Sequence, residues 1–188
     1  MRKIFSVLII FFLLSFYAIP SHAAIYKIDD SQSEVQFSGE HAGNIFNGKF
    51  EKWSGAIDFN PEKLDTSSVK FMFDLKSTKT GNTVYDGTLP QSDWFDIKNN
   101  PQAEFVSSKF SKNADGTYKI DGTLTLRGKS NPVSFDFQVS DLNVQPVTAT
   151  ASIPIDRLAF DIGLKSDAKA EWVSKMITID LKIVAQKN

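Results

Sequence analysis

The segment from Asp121 to Phe137 constrains the fold more than any other part of the chain, because its side chains alternate between apolar and polar residues. Its apolar register is occupied by Gly122, Leu124, Leu126, Val133, Phe135 and Phe137. A period of two places one row of side chains on each face of a sheet. Gly128 and Pro132 are turn-forming residues, so the pattern predicts two amphipathic strands with a turn bracketed by these residues.

The same alternation recurs along most of the chain, whereas helical periodicity is scarce. Runs ending at Asn60-Pro61, Asn99-Asn100-Pro101 and Gln145-Pro146 are closed by turn chemistry, and Asp115-Gly116 predicts a hairpin. Eight or nine short strands in one domain indicate an antiparallel sandwich or barrel. The exception is Gly81 to Ile97, which lacks alternation and is predicted to be a loop with one or two short helical turns.

The N-terminus has the composition of an export signal. Arg2 and Lys3 precede an apolar run from Ile4 to Ile19, and Ser21-His22-Ala23 supplies small residues for cleavage after Ala23. We therefore expect a signal peptide at 1–23, a single domain at 24–188, a periplasmic location and no stable membrane insertion. An uncleaved membrane anchor is the alternative.

Composition limits the chemistry of the predicted domain. Removal of Arg2 and Lys3 leaves 19 basic and 22 acidic residues, a balance that does not favour nucleic acid as a partner. The chain has no Cys, and His41 is the one His left after cleavage, so we predict no metal site and no cofactor. Gly43 to Phe50 has the spacing of a phosphate-binding loop, but Phe50 stands where the motif needs Ser or Thr.

Two polar residues fall in apolar registers. His41 continues the stripe of Val35, Phe37 and Gly39, and Arg157 continues that of Ile155. Because an unpaired buried charge is costly, Arg157 must pair with a carboxylate or face an anionic ligand. Asp86, Asp161 and Glu104 are the candidate carboxylates. His41 either bonds a backbone carbonyl at the edge of the core or lies at a cavity mouth.

Five segments together resemble the YceI-like family of secreted, lipocalin-like barrel proteins. They are YKIDDSQSEVQFSGEHAG, NGKFEKWSGAIDFNPEKLDTSSV, YDGTLPQSDWFDIKNNPQAEFVSS, DGTLTLRGKSNPVSFDF and DRLAFDIG. Thr88 and Trp94 depart from the pattern, at places where many members have His and Phe. The resemblance implies an all-β, eight-stranded antiparallel barrel with an interior tunnel and the helical insertion at about 82–97. It also implies a lipid-like ligand such as a polyisoprenoid or quinone, no defined catalytic activity, and a homodimer.

In such a barrel the apolar face must point inward. We expect the ligand cavity to be lined by Phe37, Phe71, Phe73, Leu124, Phe135 and Phe137. We expect the ligand's polar head to lie near His41, Asp86 and Arg157. The resulting hypothesis is a periplasmic carrier that sequesters a polyisoprenoid, quinone or fatty-acid-like lipid. The alternatives are a hydrolase that uses His41 with a carboxylate such as Asp86, and a ligand-free stress or interaction scaffold.

Overall fold

The computed structural model describes residues 24–188, so the predicted signal peptide lies outside the described residues. Alternating segments form eleven strands in one antiparallel sheet. Their bounds are β1 (Ala24–Ile28), β2 (Glu34–His41), β3 (Asn44–Phe50), β4 (Trp53–Phe59), β5 (Ser68–Asp74), β6 (Thr78–Lys79), β7 (Gln102–Lys112), β8 (Tyr118–Leu126), β9 (Lys129–Val139), β10 (Val147–Asp156) and β11 (Met176–Lys187).

The eleven strands make a closed barrel of eight strand positions, because three positions are each shared by two consecutive strands. These pairs are β1 with β2, β3 with β4, and β5 with β6. β1 and β2 both pair with β11, β3 pairs with β2 and β6, and β4 pairs with β1 and β5. The barrel closes where Tyr26 on β1 pairs with Lys187 on β11. The eight-stranded antiparallel barrel expected from the sequence is therefore confirmed.

The inward face is apolar throughout the best-formed part of the wall. On β8 every second residue from Tyr118 to Leu126 is buried, and the residues that alternate with them are more exposed. This is the burial pattern that period-two alternation predicts for a sheet with one face toward the core.

The turn between β8 and β9 is tighter than the sequence suggested. Leu126 pairs directly with Lys129, so the loop is only Arg127 and Gly128, with φ angles of 53° and 72°. Two consecutive positive φ values are typical of the turn that matches strand twist in a two-residue hairpin. Pro132 consequently lies inside β9 and not at the end of the turn, which corrects the expected boundary.

Two of the strand glycines make room for aromatic rings. Gly48 pairs across the sheet with Phe37, and Gly55 pairs with Phe71. In both pairs the Phe ring occupies the place where a glycine Cβ would lie. The glycines therefore permit close contact between a ring and the opposite backbone.

Irregular segments gather at one end of the barrel. The helix α1 (Thr83–Thr88) follows β6, within the insertion predicted at about 82–97. Asn82 caps it, its side-chain oxygen accepting from the backbone N–H groups of Val84 and Tyr85. The connection from β10 to β11 begins with a 3₁₀ helix at Arg157–Phe160.

Candidate functional site

The barrel encloses a cavity whose wall is almost entirely apolar. Its volume is about 130 Å³. The wall is formed by Tyr26, Ile57, Phe59, Val69, Phe71, Phe73, Phe105, Phe110, Ile120, Leu124, Val133, Phe135, Phe137, Val139, Leu142, Val147, Ala149, Thr150, Ala151, Ile153, Ile155, Ile179, Leu181, Ile183 and Ala185. Apart from the hydroxyls of Thr150 and Tyr26, no side chain on this wall has a hydrogen-bonding group.

Five of the six residues expected to line the cavity lie on its wall: Phe71, Phe73, Leu124, Phe135 and Phe137. Phe37 is the exception. It is buried, but its ring packs between Phe46 and Phe50, with centroid distances of 6.4 and 5.3 Å. Because Gly48 lies opposite it, the ring of Phe37 settles against β3 and does not reach the cavity.

Phe37 belongs instead to a row of aromatic rings that leads away from the cavity. From Phe73 on the wall the row passes through Phe50 and Phe37 to Phe46, with successive centroids 5.3 to 6.4 Å apart. Phe46 in turn meets Tyr85 of α1 at 5.9 Å. These separations are typical of packed aromatic pairs, so the row is continuous.

The row ends at a second pocket of about 230 Å³, which contains the polar groups that the barrel cavity lacks. Its lining is His41, Phe46, Thr80, Val84, Tyr85, Thr88, Leu89, Trp94 and Val173. His41 Nδ1 lies 2.9 Å from Tyr85 Oη, and the two rings meet edge to face. His41 is thus half-buried at a pocket and hydrogen-bonded to a tyrosine, where a backbone carbonyl was the alternative.

Asp86 stands behind this pocket without lining it. Its Oδ1 accepts hydrogen bonds from the backbone N–H and the hydroxyl of Thr80, both at 2.7 Å. These bonds hold the pKa of Asp86 below its ordinary value, with a smaller contribution from nearby Lys79. Asp86 therefore orients Thr80, and the pair of His41 with Asp86 that the hydrolase alternative requires is not formed.

Arg157 is not at a cavity mouth, which corrects the expectation that it meets a ligand's head. Its side chain is only 2% exposed and ion-pairs with Asp167 at 2.7 Å. The guanidinium also donates to the carbonyls of Ile162, Val173 and Ser174. The requirement that Arg157 find a carboxylate is met, but by a residue outside the three candidates. Asp161 lies 2.6 Å from Lys129 and Glu104 lies 2.6 Å from Lys70.

The Arg157–Asp167 pair fastens the connection between β10 and β11. Asp167 also accepts from the backbone N–H groups of Glu171, Trp172 and Val173. Burial alone would raise the pKa of Asp167, but these bonds and Arg157 together lower it below its ordinary value. Trp94 places its ring 5.8 Å from the guanidinium carbon, which covers the pair further.

Sequence reasoning missed Tyr85, Phe46 and Asp167. Tyr85 and Asp167 lie in segments without alternation, so no register predicted where they point. Phe46 was part of an apolar run, yet nothing in that run indicated that its partner would come from α1. Within residues 24–188 no cluster of three or more His, Asp or Glu side chains is suited to hold a metal ion. Over the same residues, no helix has the length and hydropathy of a membrane span.

Comparison with known proteins places this barrel in a family. The sequence pattern of the YceI-like domain matches residues 26–185. The chain belongs to the YceI-like family. Among curated YceI-like relatives, a UPF0312 protein of Yersinia enterocolitica is 29% identical over 136 residues, 71% of this chain and 70% of that one. A UPF0312 protein of Pseudomonas savastanoi is 30% identical over 114 residues, 59% of each chain.

Solved structures show the same YceI-like barrel. Burkholderia cenocepacia BcnA is 29% identical, with a TM-score of 0.80 over 85% of this chain and 100% of that one. A polyisoprenoid binding domain from Saccharophagus degradans is 16% identical, with a TM-score of 0.68 over 89% of this chain and all of that one. At that identity the second likeness establishes the fold alone.

Proposed function

We propose that the protein binds a long-chain amphiphile, with the apolar chain inside the barrel, and carries or sequesters it without chemical change. The observation behind this proposal is the cavity wall, on which hydroxyls are the only hydrogen-bonding side-chain groups. Such a wall offers nothing to a polar solute. An apolar chain gains about 0.8 kcal/mol for each methylene that it removes from water.

The ligand class is proposed from the cavity together with the fold. A domain of this fold from Saccharophagus degradans is described as polyisoprenoid binding, and a branched apolar chain suits a wall of Phe, Ile, Leu and Val. We therefore propose a polyisoprenoid, a quinone or a fatty-acid-like lipid.

The polar end of the ligand is assigned to the pocket of His41 and Tyr85. This pocket lies at the end of the aromatic row that starts from Phe73 on the cavity wall. His41, Tyr85, Thr80 and Thr88 all present groups that donate or accept hydrogen bonds. A hydroxyl, carbonyl or phosphate head would find partners here that it lacks in the barrel.

The proposal includes a periplasmic location, which rests on the predicted signal peptide.

The proposal of binding without turnover is supported by the geometry of the polar groups. General acid–base catalysis needs two groups with separated pKa values close to one reacting atom. His41 contacts Tyr85, whereas the Asp86 carboxylate is engaged by Thr80.

The test is mass spectrometry of organic extracts of protein purified without detergent from a periplasmic fraction. The expected result is a co-purifying apolar amphiphile in defined stoichiometry, recovered unchanged after prolonged incubation with the protein. A protein that is purified without ligand and does not bind added prenols would favour the scaffold function. A product whose formation needs His41, with several turnovers per protein, would favour an enzyme.

A further inference from the structure

One seam of the barrel is only partly closed by hydrogen bonds. β8 and β9 pair over nine residues and β10 and β11 over ten. β9 and β10 pair over only three, from Val139 with Ala149 to Phe137 with Ala151. From Asp136 to Lys129 on β9, and from Ser152 to Asp156 on β10, no strand-to-strand pairing joins the two edges.

Two prolines explain why this ladder stops. If the register of Gln138 with Thr150 continued, Ser134 would face Pro154 and Pro132 would face Asp156. Residues separated by an even number direct their N–H and C=O groups to the same neighbouring strand, so both prolines fall where an N–H should cross the seam. Proline has no N–H, so neither pair can form its two bonds.

Pro132 and Pro154 leave their other neighbours undisturbed. Pro132 pairs with Thr123 of β8, and Pro154 pairs with Thr178 of β11. The loss of a donor therefore affects only the side facing the seam, and both outer ladders continue past the prolines.

The unpaired part of the seam is a bounded window. One end is the last paired residues, Phe137 and Ala151. At the other end Asn131 Nδ2 donates to the carbonyl of Ala159 at 3.0 Å, joining β9 to the 3₁₀ helix after β10. Five residues of strand span about 17 Å.

The window borders the cavity. Val133, Phe135, Ile153 and Ile155 lie along it, and all four belong to the cavity wall. On the β9 side Val133 and Phe135 are half-buried, whereas Ile153 and Ile155 on the β10 side are buried. The apolar wall is therefore partly exposed along the β9 edge of the seam.

We propose that the seam between β9 and β10 is the lateral passage through which an apolar chain enters and leaves the barrel, and that Pro132 and Pro154 keep it from closing. This inference rests on the proposed function. A passage along the side lets a long chain enter broadside or protrude. The edges on both sides retain unpaired backbone groups, so they can separate without breaking a ladder.

The test is to tie the seam and measure the rates of exchange. The chain has no Cys, so S134C/S152C gives a single pair of outward-facing thiols, diagonal across the window and with both prolines retained, which a short bis-maleimide can bridge. The matched control is S152C/D180C, bridged by the same reagent across the fully paired β10–β11 seam. The probe is N-phenyl-1-naphthylamine, whose association and dissociation are followed by stopped-flow fluorescence.

We expect bridging of the β9–β10 seam to slow both association and dissociation by about tenfold or more, with the equilibrium affinity nearly unchanged. The control bridge should leave both rates unaltered. P132T/P154T, which restores two N–H donors, should slow exchange without any reagent. Equal rates before and after bridging would overturn the lateral passage while leaving binding intact. Failure of the unmodified protein to bind the probe would overturn the proposed function, and the passage with it.

Discussion

The barrel cavity and the connection from Arg157 to Val173 have similar sequence patterns but opposite interiors, one open and apolar and the other closed by polar bonds. In both, residues fall in the apolar register of a strand or of the residues that continue it. On the cavity wall these are Phe, Ile and Val side chains that leave space between them. At Arg157 the register holds a buried cation that donates to internal carbonyls and to Asp167 and is covered by the ring of Trp94. The first region leaves an internal cavity, whereas the second is held together by internal polar bonds.

The difference shows that a polar residue in an apolar register is not by itself a mark of a ligand site. His41 and Arg157 carry the same signal, yet His41 faces a pocket and Arg157 is enclosed. What separates them is the supply of internal partners. Four backbone carbonyls and one carboxylate satisfy Arg157, whereas the His41 ring has, among residues 24–188, the hydroxyl of Tyr85 as its hydrogen-bond partner.

The largest effect should come from breaking the buried ion pair. Asp167→Ala leaves Arg157 enclosed without its carboxylate, and such a change costs about 3–5 kcal/mol in the free energy of unfolding. Glu171→Ala is the control, because Glu171 meets Lys169 at 3.8 Å in solvent and should cost at most about 1 kcal/mol. Urea unfolding measures both. A cost for Asp167→Ala no larger than that of the control would show that the pair does not fasten this segment.

Truncation of a phenylalanine should give different results in the two regions. Phe160, in the 3₁₀ helix, is 2% exposed, so Phe160→Ala should cost about 3–5 kcal/mol with little change in probe affinity. Phe135 borders the cavity and is half-buried, so Phe135→Ala should cost clearly less and weaken N-phenyl-1-naphthylamine binding. Thermal unfolding and fluorescence titration separate the two effects. Equal losses of stability and of probe affinity in both variants would contradict the distinction between a filled region at Phe160 and an open one at Phe135.

Acid should lower the stability of the connection between β10 and β11 by protonating Asp167. Its pKa in the folded protein lies below the ordinary 3.8, so its stabilising contribution is present above that value and is lost as the pH falls toward the folded pKa. The free energy of unfolding of the natural protein should therefore decrease more steeply below about pH 5 than that of Asp167→Asn. Parallel pH profiles for the two proteins would mean that Asp167 makes no such contribution.

The smallest expected effect concerns the polar pocket. Tyr85→Phe removes the hydroxyl that His41 contacts. The net free energy of one hydrogen bond is about 0.5–1.5 kcal/mol, which sets the size of the expected effect. If this pocket receives the ligand's head, farnesol should bind more weakly to the variant, whereas the saturated hydrocarbon of equal length should bind unchanged. Competition against N-phenyl-1-naphthylamine gives both affinities. Equal losses for the two ligands would remove the head-group role from this pocket.

The sequence was sufficient for the barrel and for most of the cavity wall, because alternation directly encodes which side chains face inward. Phe71, Phe135 and Phe137 were placed correctly for that reason. Phe37 also points inward, but its ring lies against Gly48 of β3 and not at the cavity. Alternation does not describe the space that this glycine leaves. The Asp167 partner and the Tyr85 contact were out of reach, because both arise where irregular segments fold back over a barrel end.

The central claim is that the barrel interior binds an apolar chain, and a chain-length series tests it most directly. Calorimetric titration of the delipidated protein would compare geraniol, farnesol and geranylgeraniol, which share a head and differ by five carbons at each step. We expect saturable one-to-one binding that tightens with each step, by up to about 0.8 kcal/mol per buried methylene, with a negative heat-capacity change. Affinity independent of chain length, or no saturable binding of any of the three, would contradict it.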